Sequence, residues 1–287
     1  MVTQPDRKKG RGLHFEGTAV KIAAGESGLM VYQPPKTNTE EAASFFGSFN
    51  PDLFIVISYG QILSRGILNI PRLFCLNVHA SILPKYRGAA PINWAIINGE
   101  KQTGISIIKM VEKMDAGAII MQKTTDSSVD ETIITLEDKL STMAAESLIG
   151  ALDSIENNNY QLTPQDESKV SFAPKLKKGD GLIRWDKSAE HIYNLIRGVV
   201  IWPGAFTYYK GKLLKIYKAR LSCSPGPQGP RAPGQIIDVS REGIAVATGK
   251  DGLIIQELQI EGKRMMRAEE FIAGHKVKAG ESFSNKN

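Results

Sequence analysis

The sequence predicts an α/β domain built on a parallel sheet, followed by a smaller domain of short β-strands. Three observations carry that expectation. Up to about residue 156, apolar runs of strand length alternate with segments of helical character, as in βαβ units. After Asn157-Asn158-Asn159-Tyr160 the chain turns polar and Pro-containing through Lys178, the composition of an interdomain linker. Beyond residue 205, five short β-type runs are separated by Gly-rich turns, which suggests a small barrel. The expected boundaries are therefore 1–160, 161–178 and 179–287.

Gly17 to Gly28 reads as a helix and Leu53 to Ser58 as a buried strand. Arg72 to Leu76 is a second buried strand, running into Asn77-Val78-His79. Pro91 suits the first turn of a helix that ends near Asn98, with Gly99 as its stop. Gly104 to Lys109 alternates Ile105 and Ile107 around Ser106, so a strand follows. A long helix from about Thr135 to Glu156 carries Leu136, Leu140, Met143, Ala144, Leu148, Leu152 and Ile155 at helical spacing, an amphipathic cover for the sheet.

In the second domain a short helix, about Ser188 to Arg197 with Gly198 as stop, precedes the strands. Phe206–Tyr209 and Leu213–Ala219 flank Lys210-Gly211-Lys212, a hairpin signal. Gln235–Val239, Ile244–Thr248 and Leu253–Ile260 complete the set. Cys223 to Pro233 reads as a loop, and residues 276 to 287 read as a frayed polar tail.

With 287 residues, 42% apolar and 23% charged, the chain is long enough for two cores and too ordinary in composition for a disordered or fibrous protein. No apolar run approaches the roughly 20 residues of a membrane span, and the amino end lacks a signal-peptide pattern. A cytoplasmic location is the simplest expectation, in a bacterium or in an organelle. Cys75 and Cys223 fall in different halves and suggest no disulfide; Cys75 reads as core. His14, His79, His191 and His275 are scattered without ligand spacing, so no metal is expected. Ser81 lacks the Gly-x-Ser-x-Gly surround of a nucleophile elbow.

Charge is unevenly spread. Residues 1–160 hold 15 Lys and Arg against 17 Asp and Glu, and residues 161–287 hold 21 against 13. A basic second domain on a near-neutral first one suggests a polyanionic partner. Arg7-Lys8-Lys9-Gly10-Arg11-Gly12 adds four cations in six residues near the amino end.

The densest chemistry lies at the end of the second strand. Residues i and i+2 of a strand share a face, so Asn77 and His79 project into one space while Val78 points away. Asp115 follows the next strand, on a loop at the same sheet edge, where open α/β sheets bind ligands. A carboxylate beside an imidazole favours the imidazolium and orients the ring. His79 and Asn77 are then two donors for an oxyanion, the requirement of acyl transfer without metal or covalent intermediate.

Asn77-Val78-His79-Ala80-Ser81-Ile82-Leu83-Pro84-Lys85-Tyr86-Arg87-Gly88, with Gly104 to Lys109 and Met114-Asp115-Ala116-Gly117, resembles the core of the folate-dependent formyltransferases. The likeness extends through Ser58-Tyr59-Gly60-Gln61-Ile62-Leu63, Lys175-Leu176, Ile183-Arg184-Trp185, Ile196-Arg197-Gly198 and Trp202-Pro203-Gly204-Ala205 to the branch that acts on methionyl-tRNA. The resemblance implies a Rossmann-like sheet domain, an OB-like barrel, 10-formyltetrahydrofolate as co-substrate and initiator methionyl-tRNA as acceptor, worked on by a monomer. It implies Asn77, His79 and Asp115 as catalytic, and a folate site lined by Ser81, Ile82, Leu83, Pro84, Tyr59, Gly60 and Val111. It assigns Arg7, Lys8, Lys9 and above all Arg11 to tRNA. Formyl transfer to a small amine such as a glycinamide nucleotide, or an inactive RNA-binding remnant, are the alternatives. The family begins with a further strand and helix, whereas this sequence starts inside what would be the second strand. Without that central strand, unpaired edges and exposed apolar surface are expected.

Overall fold

A computed structural model describes residues 1–9, 14–222 and 231–285. The chain divides into two compact units that are each discontinuous in sequence. The first holds Met1–His79, Ile105–Lys123 and Ala144–Val170; the second holds Ala80–Gly104, Thr124–Met143 and Ser171–Asn287.

The chain opens with a two-stranded antiparallel hairpin, β1 (Arg7–Lys9) and β2 (His14–Glu16). Helices α1 (Ala19–Glu26) and α2 (Glu40–Gly47) start at Thr18 and Thr39, whose hydroxyls accept from the Lys21 and Ala42 amides. Strand β3 (Leu53–Val56), the short α3 (Arg65–Leu68) and β4 (Phe74–His79) follow. Then come α4 (Pro91–Ile97), β5 (Gln102–Lys109), β6 (Ile119–Asp126) and the long α5 (Ile133–Glu156). Leu136, Leu140 and Ile155 of α5 are buried, as its stripe requires.

The four-stranded sheet has the order β3-β4-β5-β6. It is mixed: β3 and β4 run parallel, whereas β4 and β5 pair antiparallel, with Asn77 opposite Ile108 and His79 opposite Ser106. Alternation along a sequence cannot distinguish the two, because α4 permits either return direction. The elements the sequence under-read are short or polar. They include α2, whose Ala42 and Phe46 pack with Leu63 and Ile67, and the β1–β2 hairpin, where a basic loop was expected.

Among the described residues β3 forms the sheet edge, and Ile55 and Ile57 are 45% and 54% exposed. Val20, Ile22, Leu29 and Met30, in and after α1, are also exposed.

The second unit contains α6 (Ala189–Gly198), capped by the Ser188 hydroxyl, then β7 (Ala205–Tyr209), β8 (Lys212–Leu221), β9 (Ile236–Ser240), β10 (Gly243–Ala247), β11 (Gly252–Ile260), β12 (Met266–Arg267) and α7 (Ala268–His275). The antiparallel path runs β7-β8-β11-β10-β9, with β12 on β11. Lys210 and Gly211 both take positive φ, 49° and 76°, in the tight turn between β7 and β8. Residues 223–230 of the expected Cys223–Pro233 loop lie outside the described residues.

The carboxyl-terminal stretch is not frayed through residue 285. Strands β7 and β9 are the two ends of the sheet path, and residues 280–284 bond to both. Ile236 N donates to Glu281 O (2.7 Å) and Phe283 N to Gly234 O (2.9 Å), while Tyr208 and Ser284 exchange two N–H···O bonds of 3.0 and 2.9 Å. This segment bridges the two ends of the path, although β7 and β9 do not pair with each other, so the expected barrel is an open antiparallel sheet among the described residues. Its anchor is Phe283, only 3% exposed, stacked on Trp185 with ring centroids 5.7 Å apart. One aromatic in a polar tail gives no periodic signal, which is why the sequence concealed it.

Candidate active site

Strand β4 is buried along its length except at Asn77, and Val78 packs away from the face that Asn77 and His79 share. The strand runs three residues further at its carboxyl end than the expected Arg72–Leu76, to His79, so both residues sit in regular, paired backbone. That fixes their direction more firmly than a loop would.

Asp115 arrives from the loop after β5. Met110 N bonds to Cys75 O (2.8 Å), and Lys109 N bonds to Ala118 O (2.9 Å), so the excursion is closed at its base. Asp115 sits at φ 51°, a left-handed conformation that Asp tolerates better than most residues. Gly117 is required by space: a Cβ there would lie 1.6 Å from Lys109 O.

The loop delivers its carboxylate to both strand residues. Asn77 Nδ2 donates to Asp115 Oδ1 at 3.2 Å, and His79 Nδ1 lies 3.6 Å from Asp115 Oδ2, with side chains 5% and 12% exposed for His79 and Asp115. The three residues singled out by chemistry are therefore together, an amide and an imidazole sharing one carboxylate. Across the sheet from His79, the fully buried Ser106 accepts from Gln122 Nε2 at 2.8 Å. Cys75 is no competitor as a nucleophile: burial pushes its thiol up to about 12. Among the described residues no cluster of His, Cys, Asp or Glu is suited to a metal ion.

The seven expected folate residues fall in both units. In the first, Tyr59 is half-buried, with burial raising its hydroxyl above the usual range, and its carbonyl accepts from Gln4 Nε2 at 2.9 Å. Gly60 is exposed at φ 83°, and Val111 is 44% exposed at the start of the Asp115 loop. In the second, Ser81 Oγ donates to Lys85 O at 2.7 Å, Leu83 is 2% exposed, Ile82 and Pro84 are half-buried, and Ile82 O accepts from Lys85 N.

Of the basic residues, Arg7 is exposed on β1 and donates to Gln4 Oε1 at 3.1 Å. Lys8 and Lys9 complete β1, and Arg11 lies outside the described residues. Asp6, at the foot of the hairpin, is held below the usual carboxylate range by Lys21 and then by Gln33.

Gln165 is a site residue that sequence reasoning missed. Its Nε2 donates to the carbonyls of both Asp115 and Gly117 at 2.8 Å. It lies in Thr163-Pro164-Gln165, within the stretch read as linker, where nothing in composition or spacing marks it.

The family model described as formyl transferase matches residues 1–152, and that for the formyl transferase C-terminal domain matches residues 175–276. Solved structures share the fold. HypX from Aquifex aeolicus in complex with tetrahydrofolic acid has a TM-score of 0.63 at 17% identity, over 91% of this chain and 45% of that one. WlaRD, a sugar 3N-formyl transferase in the presence of dTDP and 5-N-formyl-THF, has a TM-score of 0.63 at 18% identity, over 86% and 82%. The family models and the fold thus define a formyl transferase with its C-terminal domain.

The sequence relatives are more specific. Methionyl-tRNA formyltransferase of Citrifermentans bemidjiense is 42% identical over 98% of this chain and 86% of its own length. That of Trichlorobacter lovleyi is 45% identical over 97% and 86%. The chain belongs to the methionyl-tRNA formyltransferase family.

Proposed function

We propose that the chain transfers the formyl group of 10-formyltetrahydrofolate to the α-amino group of methionine on initiator tRNA, and that Asn77, His79 and Asp115 carry the reaction. The observation behind the site assignment is the single carboxylate of Asp115 bonded to Asn77 and facing His79 Nδ1.

The acceptor amine attacks the formyl carbon, a C–N bond forms, and the carbonyl oxygen becomes an oxyanion. Asn77 has a second amide hydrogen beyond the one given to Asp115, and that hydrogen meets the oxyanion. His79, its Nδ1 turned to the carboxylate, acts through Nε2 as the second donor. Collapse of the intermediate breaks the bond to the folate nitrogen. The proton lost by the attacking amine ends on that nitrogen, with Asp115 and His79 managing its passage.

The loop Ser81–Pro84 with Tyr59, Gly60 and Val111 is proposed to line the folate site. Arg7, Lys8, Lys9 and Arg11, with the basic second domain over residues 179–287, are proposed to meet tRNA phosphates, giving salt-sensitive affinity. The protein works as a monomer in the bacterial cytoplasm in this reading. Relatives more than 40% identical that act on methionyl-tRNA weigh against a small-amine acceptor.

The test is formyl transfer by purified protein to charged initiator tRNA and, separately, to glycinamide ribonucleotide. Transfer to tRNA is expected, and either His79→Ala or Asn77→Ala should lower kcat by roughly 100- to 1000-fold, the usual cost of one oxyanion donor. The same variants should bind tRNA as the parent does. Preference for the nucleotide, or an equal fall in tRNA affinity, would overturn the assignment.

A further inference from the structure

From the geometry around Asp115 we infer that Gln165 is a positioning residue for catalysis, holding the Asp115 carboxylate at the distance from His79 and Asn77 that the reaction requires. This deepens the proposed function and rests on it. Asp115 lies in a left-handed backbone conformation, φ 51°, which carries a cost unless its surroundings over-determine it. Gln165 supplies that determination. Its side-chain amide donates both hydrogens, one to Asp115 O and one to Gly117 O, each at 2.8 Å. It thereby pins the backbone on either side of Ala116.

Gln165 is itself fixed. Thr163 and Ile119 exchange two backbone bonds of 2.8 and 2.9 Å just after the loop, and Lys113 pairs with Glu167 at 3.2 Å within it. Residues 163–167 are thus a strap laid across the loop and tied at both ends. Two donors at this reach are peculiar to glutamine among the acidic and amide side chains. Glutamate would turn oxygen atoms toward two carbonyl oxygens, and asparagine is one methylene short.

Gln165→Met keeps the volume and removes both donors, and Gln165→Ala serves as the second variant. Both should lower kcat for tRNA formylation by about tenfold or more, as expected of a displacement approaching 1 Å, with KM for either substrate within about twofold. Asp115→Asn and Gln165→Met combined should be no slower than Asp115→Asn alone in single turnover, because the strap acts only through that carboxylate.

In the ligand-free protein the ¹⁵N resonance of His79 Nδ1 should move in Gln165→Met. That signal needs no activity, so it tests the strap even if the wild-type chain proves not to formylate tRNA, an outcome that would overturn the proposed function alone. An unmoved resonance, a kcat within twofold of wild type, or losses that multiply in the double variant would each overturn the positioning role.

Discussion

Gly117→Ala is the sharpest test of whether the Asp115 loop is a machined part or a passive connection. The added Cβ would fall 1.6 Å from Lys109 O and 2.8 Å from its carbonyl carbon, both backbone atoms of a paired strand. Ordinary contact begins at 3.4 Å, so loop and strand must separate by about 1.8 Å. Strand β5 is held by β4, and the loop is the part free to give. Asp115 is two residues away, and its bond to Asn77, already 3.2 Å, does not survive a shift of that size. A misplacement of about 1 Å can cost about 100-fold in rate, or about 2.7 kcal/mol of barrier. The expected result is kcat for methionyl-tRNA formylation reduced by about 100-fold or more with tRNA affinity preserved. The assay is steady-state formyl transfer, with a melting curve as the control for folding. A kcat within threefold of wild type in a folded variant would refute the claim that this close approach sets the carboxylate.

The carboxyl-terminal segment that bridges the ends of the second sheet makes two further predictions. Phe283→Ala removes a ring that is 3% exposed between Trp185 and Tyr209 and should cost about 3 to 5 kcal/mol by denaturant unfolding; a loss under about 0.5 kcal/mol would mean the segment is a tail after all. Glu281, on the same segment, is held down to about 2 by the Tyr209 hydroxyl and then by Lys210. A lowered carboxylate stabilises the fold above its ordinary value of 4.5, and that stabilisation is lost as pH falls from there toward 2. Tm of the wild type should therefore drop more steeply than that of Glu281→Gln between pH 4.5 and 2, and parallel Tm–pH curves would contradict it.

Strand and helix signals with long periods were legible. The α5 stripe, the β7–β8 turn at Lys210-Gly211 and the helix near Ser188 to Arg197 all stand where pattern and turn chemistry put them. Asn77 and His79 were also legible, because period two along a buried strand leaves no choice of face. What failed to register was short or depended on a partner far along the chain. The antiparallel return of β5, the Phe283 anchor and the Gln165 strap each join residues that no local window contains together.

By itself, then, the sequence determined the class of fold, the family, and the identity of the amide, imidazole and carboxylate, because those follow from residue type and local spacing. Tertiary structure alone decided that Asp115 bonds Asn77 and faces His79 Nδ1 at 3.6 Å, that Gly117 must be glycine, and that a polar tail is bonded to both ends of the second sheet. The physical reason is that a hydrogen bond is satisfied by geometry within a few tenths of an ångström. Such geometry arises only when segments distant in sequence are packed against one another.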